Sequence, residues 1–462
     1  MKRPFVVLSC LFALCAGVLR AETAPTITVN EGAPEWSFGG DLRVRWVGQG
    51  KMPDFAYNKD CTASTHSETP CEDFVRIRTR LWGKVVTEEL EAYLRVTNEF
   101  RYYRSPRDKR GTKRFPDVTF IDNLYVTFKD VADFIDVKIG RQDISFGQRR
   151  IIGEGTPMDG SRSCYFDAAR VTFKFDTKRT LDALAIYMPR HDWMPTLGKT
   201  YSAKSKGSTK TDYENSLYDH NEYGLALYYQ DRSSDALGFD LYYFFKGEEG
   251  EKSTVLNGAD HFYTHTFGTR LLPKFSQTLS GEVELAVQAG DDNLLAMMAY
   301  TGLTYAPGLA MDPKFTLAAY YLSGDRSGRG KHSWRAVFNR ETALGDLIGY
   351  MYSMNAHTNL FYPHFAFEIT PSDNQFFRMH TGPLFAPVEE RDSTGGTYGH
   401  YRGYYAQLAY DFAIGKAFGH NTLFEELNFG VLAEVMSKAS GCYEPDEDHI
   451  GYYLQAQFTY SF

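Results

Sequence analysis

The sequence predicts an all-β fold, a transmembrane antiparallel β-barrel of about 18 strands with short periplasmic turns and long extracellular loops. Three observations carry this. Short segments alternate between an apolar and a charged face, their connections alternate between short and long, and the last segment keeps its phase up to the terminal Phe462. Composition agrees. With 34 Phe and 32 Tyr, aromatics reach 15 % of the 462 residues, yet mean hydropathy is −0.40. Rings on so polar a background suit strands with lipid on one side and water on the other. Beyond the N-terminus no run approaches the ~18 consecutive apolar residues of a spanning helix.

The chain opens with Lys2 and Arg3 ahead of an apolar run from Pro4 to Leu19, and Ala21 offers a small residue for cleavage. That is the pattern of a secretory signal peptide over 1–21, too short for an anchor. A periplasmic segment over 22–34 and the barrel over 35–462 are expected to follow. Cys10 and Cys15 read as apolar filler of the signal. Export leads to an oxidising compartment, so Cys61, Cys71, Cys164 and Cys442 are expected to pair. Cys61 and Cys71 share one polar loop and are the favoured bridge, which leaves Cys164 with Cys442. No His or second Cys stands nearby at zinc spacing, so neither metal nor cofactor is expected.

In the first strand Phe38, Leu42, Val44 and Trp46 share a face, with Asp41, Arg43 and Arg45 opposite. Next, Val75, Ile77, Thr79 and Leu81 oppose Arg76, Arg78, Arg80 and Lys84. After a turn at Glu88–Glu89, Leu90, Ala92, Leu94 and Val96 oppose Glu91, Tyr93, Arg95, Thr97 and Glu99. A soluble sandwich and a membrane barrel both give this alternation, and differ in which face is wet. In a barrel the charges point inward, because Arg or Lys facing lipid at the midplane costs about 2–4 kcal/mol.

The connections decide between them. Thr177–Arg179, Arg232–Asp235 and Pro371–Asp373 are short, while Arg190–Asn221, Arg326–Thr358 and Val388–His400 are long. Later strands keep the pattern: Val283, Leu285 and Val287 oppose Glu282 and Glu284, and Phe377, Met379 and Thr381 oppose Arg378 and His380. A barrel of this width leaves an aqueous channel. At the end, Ile450, Tyr452, Leu454, Ala456, Phe458, Tyr460 and Phe462 hold one face. A terminal aromatic on such a strand resembles the signal by which outer-membrane barrels engage the barrel-assembly machinery.

One stretch is more specific. GRQDISFGQRR at Gly140–Arg150, followed by FDAARVTF at Phe166–Phe173, resembles the alginate-export family of outer-membrane porins, and LSGD at Leu322–Asp325 looks like a strand end of that family. The specific match covers Gly140–Phe173. The resemblance implies a monomeric 18-stranded barrel with an electropositive pore for a uronate polymer, working with periplasmic secretion partners. Cys164 and Tyr165 depart from the family's usual Thr or Ser. Ala413–Thr422 is brief where the type member carries a long periplasmic plug. Arg141 and Asp143 share the parity of Val137 and Ile139, so they reach the lumen only through a bulge at Gly140 and otherwise sit at the rim.

The candidate pore lining is Arg43, Arg45, Arg76, Arg78, Arg80, Lys84, Arg95, Arg170, Lys174, Arg270 and Arg378, with Arg141, Asp143 and Asp167 from the specific stretch. Arginine's planar fork meets carboxylates bidentately and keeps its charge, and rings of it select anions. The other reading is wall scaffolding paired with Glu91, Glu99, Glu282, Glu284 and Glu368. The loop Arg104–Val118 carries Arg104, Arg107, Lys109, Arg110, Lys113 and Arg114. It is either a basic lid over the mouth or a solvated loop touching lipopolysaccharide phosphates.

The expected function is passive export of an anionic uronate-type polysaccharide such as alginate. The alternative is a general porin, or one for uptake of oligosaccharides or anions. An outer-membrane barrel hydrolase is a third class, but His191–Asp192 has no serine partner and no carboxylates show glycosidase spacing. The expected partners are thus an anionic poly- or oligosaccharide, outer-membrane lipid and lipopolysaccharide. A net charge of −8 argues against nucleic acid.

Overall fold

A computed structural model describes residues 34–50, 72–105, 118–153, 165–190, 192–197, 220–250, 261–325, 331–339, 344–345, 347–348, 358–389, 399–418, 426–438 and 450–462. The expected signal peptide over 1–21, Cys61, Cys71, Cys164 and Cys442, His191, and Arg107, Lys109, Arg110, Lys113 and Arg114 of the basic loop lie outside these residues.

Eighteen strands form the wall. They are β1 (Glu35–Gly50), β2 (Glu72–Val86), β3 (Leu90–Ser105), β4 (Val118–Val131), β5 (Ile135–Gln142), β6 (Phe166–Lys174), β7 (Arg179–Met188), β8 (Asn221–Asp231) and β9 (Leu237–Glu249). The second half comprises β10 (His261–Pro273), β11 (Leu279–Gly290), β12 (Leu294–Tyr305), β13 (Lys314–Leu322), β14 (Leu360–Ser372), β15 (Gln375–Phe385), β16 (Tyr401–Ala413), β17 (Leu427–Lys438) and β18 (Ile450–Ser461). Each pairs antiparallel with its neighbours, and β18 closes on β1. Closure runs to the last residue: Gly40 N donates to Phe462 O at 2.8 Å and Phe462 N returns to Gly40 O at 3.0 Å. A closed barrel leaves no unpaired edge in lipid.

Burial is inverted relative to a soluble protein. Phe38 is 73 % exposed and Leu317 69 %, while Arg45 and Glu434 are fully buried. The apolar faces therefore look out and the charged faces in, as the alternation requires in lipid. Turns at the short-connection end are capped locally, as where Thr87 Oγ1 accepts from Leu90 N at 3.0 Å. One short connection is longer than expected from Ala413–Thr422. β16 stops at Ala413, a helix covers Ile414–Phe418, and β17 begins only at Leu427.

Register corrects a second expectation. At Gly140 the ladder continues unbroken, with Gly140 opposite Tyr125 on β4 and Ala168 on β6. On the neighbouring strands the shifts lie between Arg95 and Val96 and between Phe128 and Val131, and further ones fall between Asp73 and Phe74, Ile369 and Ser372, and Leu384 and Phe385. Gly140 serves another need. Its φ is +125°, and an added Cβ would meet Leu124 O at 2.2 Å. Only glycine combines that dihedral with so close a backbone approach.

Candidate functional site

The site is the barrel interior. On β1 and β2 the inward positions place arginine opposite arginine, Arg43 with Arg78 and Arg45 with Arg76, while Asp41 faces Arg80. Like charges directly opposite across a ladder are destabilising, so this wall is not arranged for stability alone. Asp41 accepts from Arg78 at 3.2 Å and from Arg80 at 2.5 Å. Glu99 takes Arg43 at 3.4 Å, and Gln457 Oε1 accepts from Arg45. Arg43, Arg45, Arg76 and Arg78 are buried, whereas Arg80 and Arg95 keep part of their surface.

The facing wall is acidic and closely compensated. Asp182 on β7 receives Arg170 at 2.7 Å. Asp240 on β9 receives Arg232 at 2.5 Å and Arg270 at 3.4 Å, and Glu282 receives Arg270 at 2.8 Å. For Arg170 and Arg270, then, the scaffolding reading describes the contacts. Both walls therefore hold their cations against acceptors, and the β1–β2 wall differs in setting arginine opposite arginine.

Two segments fold inward and narrow it. The first leaves the wall after Gln142. Asp143 reaches Arg95 at 3.1 Å beside Asn123, and Phe146 stacks on Tyr228 of β8 with centroids 4.2 Å apart. The tip turns through positive φ at Gly147 and Arg149. Arg150 then docks between Glu282 and Glu284 of β11, each at 2.6 Å, with its guanidinium 3.5 Å over the Tyr300 ring. The second segment meets the first where Phe338–Asn339 pairs in parallel with Ile152–Gly153. It is tied to the wall by Arg335 N donating to Gln288 Oε1 at 2.9 Å and by Leu347 N donating to Glu434 Oε2 at 2.7 Å.

Charge also anchors this second segment. Lys246 Nζ lies 2.9 Å from Glu222 and 2.8 Å from Glu248, and Arg335 bonds Glu248 as well. His220 approaches both carboxylates. Burial opposes its charge, but the bonds to Glu222 and Glu248 prevail and its pKa is pushed up to about 9. His220, Glu222 and Glu248 have the composition of a metal site. Lys246 places its ammonium between the two carboxylates, and so supplies the cation they need.

For Arg141 the sequence left two positions open, the lumen through a bulge or the rim without one, and the register fits the second, with Arg141 opposite Leu124 and Asp167. With no bulge to turn it, Arg141 keeps outward parity. It fills the seam where β5 ends early, bonding Asp167 at 2.7 Å, Asp192 at 2.7 Å and Ile121 O at 2.9 Å. The strand Thr196–Leu197 covers the seam by pairing with Thr119–Phe120. Burial works against the charge on Asp192, but bonds from Arg141 hold its carboxyl below the usual range. Lys174 sits at the short-turn rim against Asp130 and Asp136. Arg378 and Lys84 occupy inward strand positions, Arg378 opposite Glu368. Arg104, the described basic residue of that loop, lies in β3 immediately before its last residue, Ser105, and 3.5 Å from Asp73.

Sequence reasoning missed Phe146, Arg150, Lys246 and Arg335. A signal for the first two was present: Ile144, Phe146, Ile151 and Ile152 are too apolar for a solvated loop.

No known family's sequence profile matches the chain, and no curated protein matches it in sequence. Solved structures do. Pseudomonas aeruginosa OpdK with vanillate aligns at TM-score 0.54 and 10 % identity over 92 % of this chain and 98 % of that one. OccK7 (OpdD) and OpdL of the same organism each align at 0.55 and 10 % identity, over 93 % of this chain and 99 % of theirs. OpdK is described as an outer membrane protein. The likeness is one of fold: this chain has the closed 18-stranded architecture of those barrels.

Proposed function

We propose that the chain is an outer-membrane porin that takes up small anionic solutes bearing a carboxylate. The observation that carries this is the like-charge register of β1 and β2, Arg43 opposite Arg78 and Arg45 opposite Arg76, in a lumen narrowed by two inward segments. The ladder costs stability and is accounted for by a fixed positive potential that attracts anions. The narrowing favours small solutes over a polymer. A fold shared with OpdK, solved with vanillate, supports the same direction. The specific match behind the alginate-export reading is Gly140–Phe173, where Arg141 contacts Asp167 and Asp192.

The leader at 1–21, the monomeric state, the Cys61–Cys71 and Cys164–Cys442 bridges and the basic lid belong to this proposal. So does recognition of the terminal strand by the assembly machinery. A liposome-swelling assay tests the uptake reading. Small monocarboxylates should enter faster than neutral sugars or cations of matched size. Equal rates for all three would reduce the protein to an unselective pore.

A further inference from the structure

Two histidines stand on adjacent strands of the lumen, and their ring nitrogens are used differently. His380 on β15 is engaged at both: Nδ1 lies 3.0 Å from the Tyr362 hydroxyl and Nε2 2.8 Å from Gln407 Oε1. Gln407 gives its Nε2 to Glu434 at 2.9 Å, so its oxygen faces His380 and takes the Nε2 proton. Nδ1 then accepts from Tyr362, and the network holds a neutral ring. His364 on β14 is different. Its Nδ1 donates to the Tyr362 carbonyl at 3.1 Å, and its half-buried ring stacks on the Tyr362 ring at 4.5 Å and 11°. Nε2 is left as an acceptor, and no group among the described residues bonds it.

The His364 ring lies beside the constriction. Tyr300 on β12 is 6.5 Å away, and Arg150 of the first inward segment covers that same ring. On β13 the residue opposite is Ala318, which brings no charge. On β15 the His380 ring is 6.0 Å away, with Arg378 two residues before it and Glu368 of β14 opposite Arg378. The acids beyond Tyr300, Glu282 and Glu284, are bonded to Arg150. Glu434 is bonded to Gln407 and to Leu347 N.

We propose that His364 is a proton-operated charge at the constriction, through which the channel gains anion preference in an acidic medium. This rests on the porin reading above and adds its regulation. A proton taken up at Nε2 turns the neutral ring into an imidazolium, while Nδ1 keeps its bond to the Tyr362 carbonyl. No hydrogen bond is lost in that step. At His380 a second proton would instead force the Tyr362 hydroxyl to turn away. The face of Tyr362, on which His364 stacks, favours a cation there. Arg150 and Arg378 flank the two histidines, and Glu282 and Glu284 are already engaged, so the new charge adds to the positive field of the pore. The charge is absent above the ordinary imidazole value of about 6.5 and enters as the pH falls below it.

The test is the reversal potential in planar bilayers under a potassium chloride gradient, at about pH 7.5 and about pH 5, on either side of the imidazole range. The chloride-to-potassium permeability ratio of wild type should rise by about 2- to 3-fold on acidification, the effect of one unit charge about 7 Å from a passing ion in a water-like dielectric. His364→Gln should lose that rise. His364→Lys carries the charge at both pH values and should show the acid-state ratio already at the higher one. His380→Gln should keep the rise, since that ring stays neutral in wild type. Heat-modifiable migration of each variant confirms a folded barrel, and His364→Asn supplies a second neutral side chain should His364→Gln fail to assemble. A wild-type ratio that does not change with pH overturns the inference and leaves the porin. So does a rise that survives in His364→Gln, which would belong to carboxylates, or one that is lost in His380→Gln. Cation preference in wild type at the higher pH overturns the anion reading of the pore, and absence of conductance overturns the porin reading itself.

Discussion

Arg150 is the residue through which the first inward segment holds its place, and Arg150→Ala is the most informative single perturbation. The side chain is buried, contacts Glu282 and Glu284 at 2.6 Å each, and lies 3.5 Å over Tyr300. Breaking a buried ion pair from one side costs about 3–5 kcal/mol, because the remaining charge is stranded. Here the loss is moderated. Glu282 keeps Arg270, and Glu284 keeps the Tyr242 hydroxyl at 2.9 Å. The lower figure, about 3 kcal/mol, is therefore the better guide, and it still shifts docked against undocked segment on the order of a hundred-fold. The wall strands do not depend on this contact, so the barrel should assemble. In planar bilayers Arg150→Ala should show higher conductance with frequent large fluctuations, and Arg150→Lys should fall between it and wild type. Wild-type conductance and noise in Arg150→Ala would refute the docking role.

Asp41→Asn removes the acid shared by Arg78 and Arg80. Anion permeability measured by reversal potential should rise, while thermal stability of the barrel should drop by about 1–3 kcal/mol. The His220 cluster gives a pH dependence. Its folded pKa of about 9 lies above the ordinary ~6.5. The stabilisation is therefore full below about 6.5 and fades as pH rises through about 9. Channel noise should grow over that range in wild type, while His220→Gln should show no such alkaline transition. Gly140→Ala should fail to accumulate as a folded, heat-modifiable barrel, since its Cβ would sit 2.2 Å from Leu124 O at a φ of +125°.

Much of the fold was legible because lipid imposes a rule that sequence can express. Val75, Ile77 and Leu81 against Arg76, Arg78 and Arg80 allow one orientation in a membrane, and the structure has it. Closure was legible in the phase kept to Phe462. The site was legible only in part. Period-2 parity finds Arg43 and Arg78 on the inner face but does not say that the register sets them opposite each other. Arg141 shows the limit of motif reasoning, since its parity was right and the lumen position required a bulge that is not there. Arg150 and Phe146 lie in a loop, where no period exists, and their partners on β8 and β11 are distant in sequence. The place of His364 beside Tyr300 likewise depends on register between three strands.

The proposed anion selectivity for small carboxylates depends on the arginine ladder of β1 and β2. The most direct measurement is the reversal potential under a potassium chloride gradient for wild type and for Arg43→Gln/Arg78→Gln. That pair removes opposed like charges while keeping side chains that can hydrogen-bond. Wild type should be anion-selective, and the variant should show a marked decrease in selectivity together with weaker block by carboxylates. A wild-type pore that prefers cations, or a variant with unchanged selectivity, would contradict the role proposed for the ladder.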